Sequence, residues 1–134
     1  MTVKWNENLE TGISIIDEQH KQLFETIEKL ETFQKSKAQF NEVIMELKEY
    51  VAKHFKTEEE YMHYTIYPEF SKHRASHDKF VEDFRNILKT HSETGNIMDI
   101  GPTLAIFVEA WLNDHYKNED VKLASYIKKC QLKD

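Results

Sequence analysis

The scarcity of helix-breaking residues is the feature that most limits what this chain can fold into. Its 134 residues include only three Gly and two Pro. These five residues stand at four places: Gly12, Pro68, Gly95 and the pair Gly101 and Pro102. An all-β domain of this length needs many more turn residues, whereas long helices need few. The sequence therefore predicts an all-α fold in one domain spanning residues 1–134.

Apolar residues recur with helical spacing in four stretches. In the first, Leu23, Phe24, Ile27 and Leu30 follow Ile16 with charged residues between them, which is the pattern of an amphipathic helix. Short connections between such helices favour an antiparallel up-down-up-down four-helix bundle. The predicted elements are an extended arm over residues 1–15, helices at about 17–35, 39–63, 69–90 and 102–117, and a C-terminal helical stretch at about 120–130.

The composition excludes several classes of partner. The net charge is −6, which disfavours nucleic acid and anionic membrane surfaces because both are bound by clustered Lys and Arg. No apolar run is long enough to cross a bilayer. The single cysteine, Cys130, cannot form an internal disulfide, and the first residues do not resemble a secretion signal. We therefore expect a cytoplasmic protein with no membrane or nucleic-acid partner.

Five of the seven histidines fall on the apolar stripes. His20 lies about 17 residues before the turn near residue 37, and His54 lies about as far after it. The same count from the turns near residues 66 and 95 places His73, His77 and His115 at the same height along the bundle as His20 and His54. Each predicted helix thus contributes an imidazole to one layer. Burying five imidazoles together is costly without a shared partner, and a metal centre supplies one.

The remaining two histidines, His63 and His91, are expected to face solvent because they lie off the stripe or at a helix end. Glu60 and His63 do form the ExxH motif of ferritin-like di-iron bundles. That architecture requires two such motifs and two further Glu, and only Asp17 to His20 offers a weak second copy. A carboxylate-rich ferritin-like site is therefore disfavoured.

Nitrogen-rich ligation without thiolate suits Fe, Cu, Zn or Ni rather than Ca or Mg. Glu58, four residues after His54, can reach the same ion as that histidine. Five histidines with carboxylates exceed what one ion takes, so two metals bridged by carboxylate are the economical interpretation. The second carboxylate comes from the region after His115. Helical spacing favours Glu119, whereas Asp120 needs a widened turn to point inward, and spacing alone leaves both open.

The motifs around these residues resemble those of the hemerythrins in order and spacing, over nearly the whole chain. The N-terminal VKWNENLETGI is similar to the arm of the bacterial members. The matching segments are GISIIDEQHKQLF with His20, HFKTEEEYM with His54 and Glu58, YPEFSKHRASHDKF with His73 and His77, and WLNDHYKNED with His115 and Asp120.

The resemblance implies an oxo- or hydroxo-bridged centre of two iron ions in which Glu58 and Asp120 are the bridging carboxylates. The family pattern favours Asp120 over Glu119 because four residues separate this histidine from its Asp. These carboxylates complete a set of seven metal ligands.

By the same resemblance, His73, His77 and His115 hold one iron. His20 and His54 hold the other, which keeps an open coordination position. The implied function is reversible dioxygen binding in storage, delivery or sensing, by a binding protein rather than an enzyme, and we expect a monomer.

Two alternatives remain at this point. The same open iron could serve a redox enzyme acting on peroxide, nitric oxide or dioxygen. The bundle could also be structural, with a histidine layer that holds zinc or no metal. One departure from the family pattern is Tyr116, next to His115, because a hydroxyl that reached the site would affect the stability of the oxygenated form.

Overall fold

Four long helices and one short one make up the chain in the computed structural model, which describes residue 5 and residues 9–32, 37–94 and 100–132. No strand occurs within these ranges. The helices are α1 (Ser14–Thr32), α2 (Lys37–Thr65), α3 (Phe70–Thr94), α4 (Ile100–His115) and α5 (Val121–Leu132), with a π-helical turn at Tyr116–Asp120 between the last two. The predicted connection around Gly95 lies outside the described residues.

The packing of the helices confirms the prediction of an all-α four-helix bundle. Helix α1 packs against α2 and α4, and α3 packs against the same two helices. Helix α5 continues from α4 and contacts α2. Each long helix thus lies beside its neighbours in sequence, and α1 closes the ring against α4.

Helix α1 begins at Ser14, inside the segment predicted as an arm. The reason is the carboxylate of Asp17, which accepts hydrogen bonds from the backbone N–H of Thr11 at 2.8 Å and of Gly12 at 3.1 Å. A carboxylate in the first turn satisfies amides that have no helical partner and favours the positive end of the helix dipole. Gly12 adopts φ +86°, which a residue with a side chain rarely tolerates.

The turn between α2 and α3 ends α2 in a tight cap. The N–H of Tyr67 bonds to the carbonyl of Met62 at 2.9 Å, and the N–H of Ile66 bonds to that of His63 at 3.3 Å. This is the paired bonding of a Schellman motif, whose penultimate residue adopts the left-handed conformation. Here that residue is Ile66, with φ 51°. Pro68 follows and prevents α2 from continuing.

Two apolar clusters fill the bundle, one on either side of the predicted histidine layer. The larger cluster includes Leu23, Phe55 and Leu112, and the smaller includes Ile16 and Met62. Along α1, His20 therefore lies between Ile16 and Leu23, and along α2, Glu58 lies between Phe55 and Met62. On α3 the histidines lie between Phe70 and Phe80, and from α4 to α5 His115 lies between Leu112 and Leu123. The polar layer is thus closed by hydrocarbon above and below. No helix within the described ranges is long and apolar enough to span a membrane.

Candidate metal centre

All seven predicted ligands lie together in the interior, in the layer between the two apolar clusters. Each is at most 2% exposed. Their ligand atoms form two groups that share Glu58, with the atoms of each group within 4.8 Å of one another. One group is Glu58, His73, His77 and His115; the other is His20, His54, Glu58 and Asp120. We call these the three-histidine position and the two-histidine position.

The three-histidine position brings nitrogens from α3 and α4 together. His115 Nε2 lies 3.2 Å from His73 Nε2 and 3.2 Å from His77 Nε2. Glu58 Oε1 lies 2.9 Å from His77 Nε2 and 3.1 Å from the other two. Two ligand atoms at about 2.1 Å from one ion and at right angles lie about 3.0 Å apart. The observed spacings therefore suit atoms that share one first-row metal ion.

The two-histidine position is built by α1, α2 and the turn after α4. His20 Nε2 lies 3.2 Å from His54 Nε2 and 3.0 Å from Asp120 Oδ2. His54 Nε2 lies 3.2 Å from Glu58 Oε2. Two imidazole nitrogens and two carboxylate oxygens thus face one point.

Both carboxylates divide their oxygens between the two positions. Glu58 directs Oε1 to the three-histidine position and Oε2 to His54. Asp120 places Oδ1 at 2.9 Å from His115 Nε2 and Oδ2 at 3.0 Å from His20 Nε2. The three-histidine position therefore has five facing donors, three nitrogens and two oxygens, and the two-histidine position has four.

Asp120 reaches the layer because of the π-helical turn that follows α4. In this turn the N–H of Val121 bonds to the carbonyl of Tyr116, five residues back. The wider turn rotates Asp120 into the interior, where it is 0% exposed, and leaves Glu119 half-buried. Such turns occur frequently at functional sites.

Two buried carboxylate oxygens lack hydrogen-bonded partners. Glu58 Oε2 and Asp120 Oδ1 accept no hydrogen bond of acceptable geometry from the described residues, although His54 and His115 nitrogens lie only 3.2 and 2.9 Å away. Close approach without hydrogen-bond geometry indicates lone pairs directed at a shared point rather than at each other's protons. A cation at that point would satisfy these buried acceptors.

The pKa values of the clustered side chains show that the layer favours positive charge on its imidazoles. Burial alone would lower the pKa of His54, but the charge of Glu58 and the nearby Asp120 raise it to about 9. Asp120 and Glu58 likewise overcome burial and raise the pKa of His115 to about 10. Despite burial, the pKa of Glu58 is lowered, chiefly by the positive charge of His54. The two carboxylates thus favour positive charge in this layer, which metal cations could supply in place of protons.

Three further side chains, none of them identified from the sequence, contact the outer nitrogens of the histidines. Gln19 Oε1 lies 3.1 Å from His54 Nδ1, and Glu59 Oε2 lies 3.0 Å from His77 Nδ1. Ser76 Oγ lies 3.2 Å from His115 Nδ1. All three directly adjoin predicted ligands in sequence. That adjacency is the only signal the chain offers for them.

Tyr67 is a fourth residue that sequence reasoning missed. Its ring lies 6.4 Å from that of His73, on the side of the three-histidine position. Its hydroxyl is buried without a hydrogen-bond partner among the described residues. Burial, with the charges of Glu69, Glu119 and Asp120, raises the pKa of Tyr67 to about 12. The phenol therefore stays protonated at neutral pH.

The remaining predictions concern the ferritin-like motif, the two histidines outside the layer, and Tyr116. His63 and Glu60 are exposed, and Asp17 is engaged with the arm, so the ferritin-like ligand set is not brought together. The side chain of His91 lies outside the described residues. The ring of Tyr116 lies 6.2 Å from His20, but its hydroxyl donates to the carbonyl of Glu10 at 3.3 Å. Tyr116 thus presents its ring, rather than its hydroxyl, to His20.

Comparison with known proteins gives a consistent result. A family model for the hemerythrin HHE cation-binding domain matches residues 11–127. A bacteriohemerythrin of Stenotrophomonas maltophilia is 31% identical over 126 residues, covering 92% of this chain and 80% of that protein. One of Pseudomonas aeruginosa is 34% identical over 118 residues, covering 87% and 75%. A hemerythrin-like protein of Naegleria gruberi is 31% identical over 118 residues, covering 88% and 87%. No solved structure gives a significant match.

Proposed function

Since this chain belongs to the hemerythrin family, we propose that it binds dioxygen reversibly at a centre of two iron ions. The observation that carries the proposal is the unequal division of donors around two shared carboxylates. Five protein atoms face the three-histidine position and four face the two-histidine position. With one solvent-derived bridge added, the three-histidine position would supply six donors to an ion, whereas the two-histidine position would leave room for an exogenous ligand.

The seven side chains fit this metal in number and in chemistry. Imidazole nitrogen with carboxylate oxygen suits iron among the first-row metals, and a cation would satisfy the unpartnered oxygens of Glu58 and Asp120. Two ferrous ions would together supply the two electrons that dioxygen takes up on binding. The five histidines would hold those ions, and Glu58 and Asp120, which each face both positions, would hold them together.

The surroundings of the layer support reversible binding. The buried apolar neighbours Leu23, Phe24 and Leu112 are 3%, 5% and 2% exposed. A dry hydrocarbon shell excludes water and disfavours escape of a charged, reduced oxygen species. Such a shell therefore favours release of the ligand as neutral dioxygen.

A redox enzyme would need a proton donor beside the open position. The hydroxyl of Tyr116 is directed to Glu10. The ring of Tyr67 lies 6.4 Å from that of His73, which belongs to the three-histidine position. This arrangement favours dioxygen binding over peroxide or nitric oxide reduction. The seven residues include no cysteine, the ligand that structural zinc sites favour, and this supports iron over structural zinc.

The direct test combines metal analysis with a spectroscopic cycle. We expect about two irons per chain and a visible charge-transfer band that appears with dioxygen and disappears when dioxygen is removed. Irreversible oxidation on first exposure would favour the enzyme, and a colourless zinc protein would overturn the proposal. His54→Ala should abolish the band, whereas His63→Ala, which removes an exposed histidine from the same helix, should leave it unchanged.

A further inference from the structure

The two metal positions differ in the number of donors and also in the side chains that contact the outer Nδ1 atoms of their histidines. At the three-histidine position, the carboxylate of Glu59 faces His77 Nδ1 at 3.0 Å. At the two-histidine position, the neutral amide of Gln19 faces His54 Nδ1 at 3.1 Å. Both imidazoles direct Nε2 at the cluster, so each Nδ1 carries the proton that these groups accept.

The orientation of the Gln19 amide follows from a directional chain of hydrogen bonds. The hydroxyl of Thr57 donates to the carbonyl of Lys53 at 3.0 Å, and it accepts from Gln19 Nε2 at 2.9 Å. The amide nitrogen is thereby directed at Thr57, and the amide oxygen at His54. Gln19 orients the imidazole without adding charge.

Glu59 is placed both to orient the imidazole of His77 and to add a negative charge beside it. Its side chain is 30% exposed, Arg74 Nε lies at 3.9 Å from Oε1, and Oε2 remains on His77. The ring of Phe55 stacks on that of His77 at 3.9 Å with an interplanar angle of 7°. Ring stacking and the carboxylate together hold the imidazole plane, while the carboxylate adds a negative charge at its outer nitrogen.

We propose that Glu59 and Gln19 are positioning residues that make the two metal positions electronically unequal. A carboxylate that accepts the Nδ1 proton makes His77 a stronger electron donor, which would stabilise the oxidised state of an ion held by His77. The amide leaves His54 an ordinary neutral donor. An ion at the two-histidine position would then be the more easily reduced of the two. This inference rests on the proposed di-iron function.

The test compares the reduction potential of the iron centre in the Glu59→Gln variant with that in the Glu60→Gln variant. Both variants remove one negative charge from adjacent positions, but Glu60 is exposed and pairs only loosely with Lys56, at 4.0 Å. We expect Glu59→Gln to shift the potential upward and Glu60→Gln to leave it near that of the unaltered protein. The reverse change, Gln19→Glu, is expected to shift it downward. Equal potentials for Glu59→Gln and Glu60→Gln would overturn the inference.

A second measurement needs neither iron nor a variant. In the unaltered chain loaded with Zn²⁺, NMR should show the Nδ1 proton of His77 further downfield than that of His54, because it is shared with a carboxylate. Equal shifts for the two protons would overturn the inference. If the chain binds two irons and dioxygen reversibly but these differences are absent, only the inference fails. If it takes up no iron, the proposed function fails instead.

Discussion

His115 Nε2 and Asp120 Oδ1 lie 2.9 Å apart, although these residues are five positions apart along the chain. On a regular α-helix this separation turns the two side chains about 140° away from each other. The π-helical turn at Tyr116–Asp120 removes that difference. The local backbone, rather than the residue spacing, thus decides which of two adjacent acids joins the histidine layer.

The first prediction tests that choice of acid. Asp120→Asn removes one oxygen charge from between the two positions, and we expect iron content to fall sharply, since losing a bridging carboxylate weakens both positions. Glu119→Gln changes the neighbouring, half-buried acid and should keep both irons. Iron per chain after purification decides the matter. Retained iron in Asp120→Asn with loss in Glu119→Gln would contradict the structural assignment.

The second prediction concerns the pH dependence of the metal-free protein. The pKa values of His54 and His115 are raised to about 9 and about 10 in the folded chain, above the ordinary value of 6.5. Their contribution to the free energy of unfolding is therefore complete below pH 6.5 and is lost as pH rises through 9 to 10. Urea unfolding of the metal-free protein should show lower stability at about pH 10 than at about pH 6.

In acid, the free energy of unfolding should fall as the pH is lowered, because the pKa of Glu58 and that of Asp120 are lowered in the folded chain. Their contribution is present above their ordinary values and is lost on acidification. The iron-loaded protein is the control. Coordination keeps its imidazoles neutral, so the alkaline decline should disappear. An alkaline decline of equal size with and without iron would contradict the prediction.

The histidine layer could be predicted from the sequence because distance from a turn converts directly into height along a bundle. His20 and His54 are nearly equidistant from the α1–α2 connection, and the structure places their Nε2 atoms 3.2 Å apart. The periodicity of the apolar residues also predicted the bundle, which the structure confirms. Both are properties of regular helices, and regular geometry is what a spacing argument uses.

What could not be predicted depends on departures from regularity or on rotation about the helix axis. The contact of Gln19 with His54 joins two helices, and the adjacency of Gln19 to His20 in sequence does not indicate that its side chain reaches a histidine of another helix. Glu59 lies in a run of three Glu, of which the structure buries the first and leaves the third exposed. The start of α1 depends on the side-chain cap made by Asp17, which apolar periodicity does not report.

The third prediction concerns Tyr116. Because its hydroxyl donates to the carbonyl of Glu10, Tyr116→Phe should leave the rate of autoxidation of the oxygenated protein unchanged. The phenyl ring is kept, so packing beside His20 is preserved. The measurement is the decay of the visible band in air-saturated buffer. A change in rate would show that the hydroxyl reaches the two-histidine position, contrary to its placement in the structure.

The fourth prediction concerns backbone strain at the end of α2. Ile66 adopts φ 51° with a side chain that is 84% exposed, so it bears the steric penalty of the left-handed region without burying its apolar atoms. That penalty is about 1–2 kcal/mol for a residue with a Cβ. Glycine avoids it but lowers the stability by roughly 0.5–1 kcal/mol, because it loses more conformational entropy on folding. Ile66→Gly should therefore stabilise the fold by about 0.5–1 kcal/mol.

The matched variant is Ile66→Ala, which removes the exposed side chain but keeps the Cβ and hence most of the strain. Its unfolding free energy should lie between those of the original chain and the glycine variant. Urea unfolding of the iron-loaded protein, with all variants at one pH, measures both effects. Destabilisation by glycine would mean that Ile66 contributes contacts that outweigh its strain. Because Ile66 immediately precedes the buried Tyr67, an unchanged visible band in Ile66→Gly would also show that the strained turn is not needed to form the metal centre.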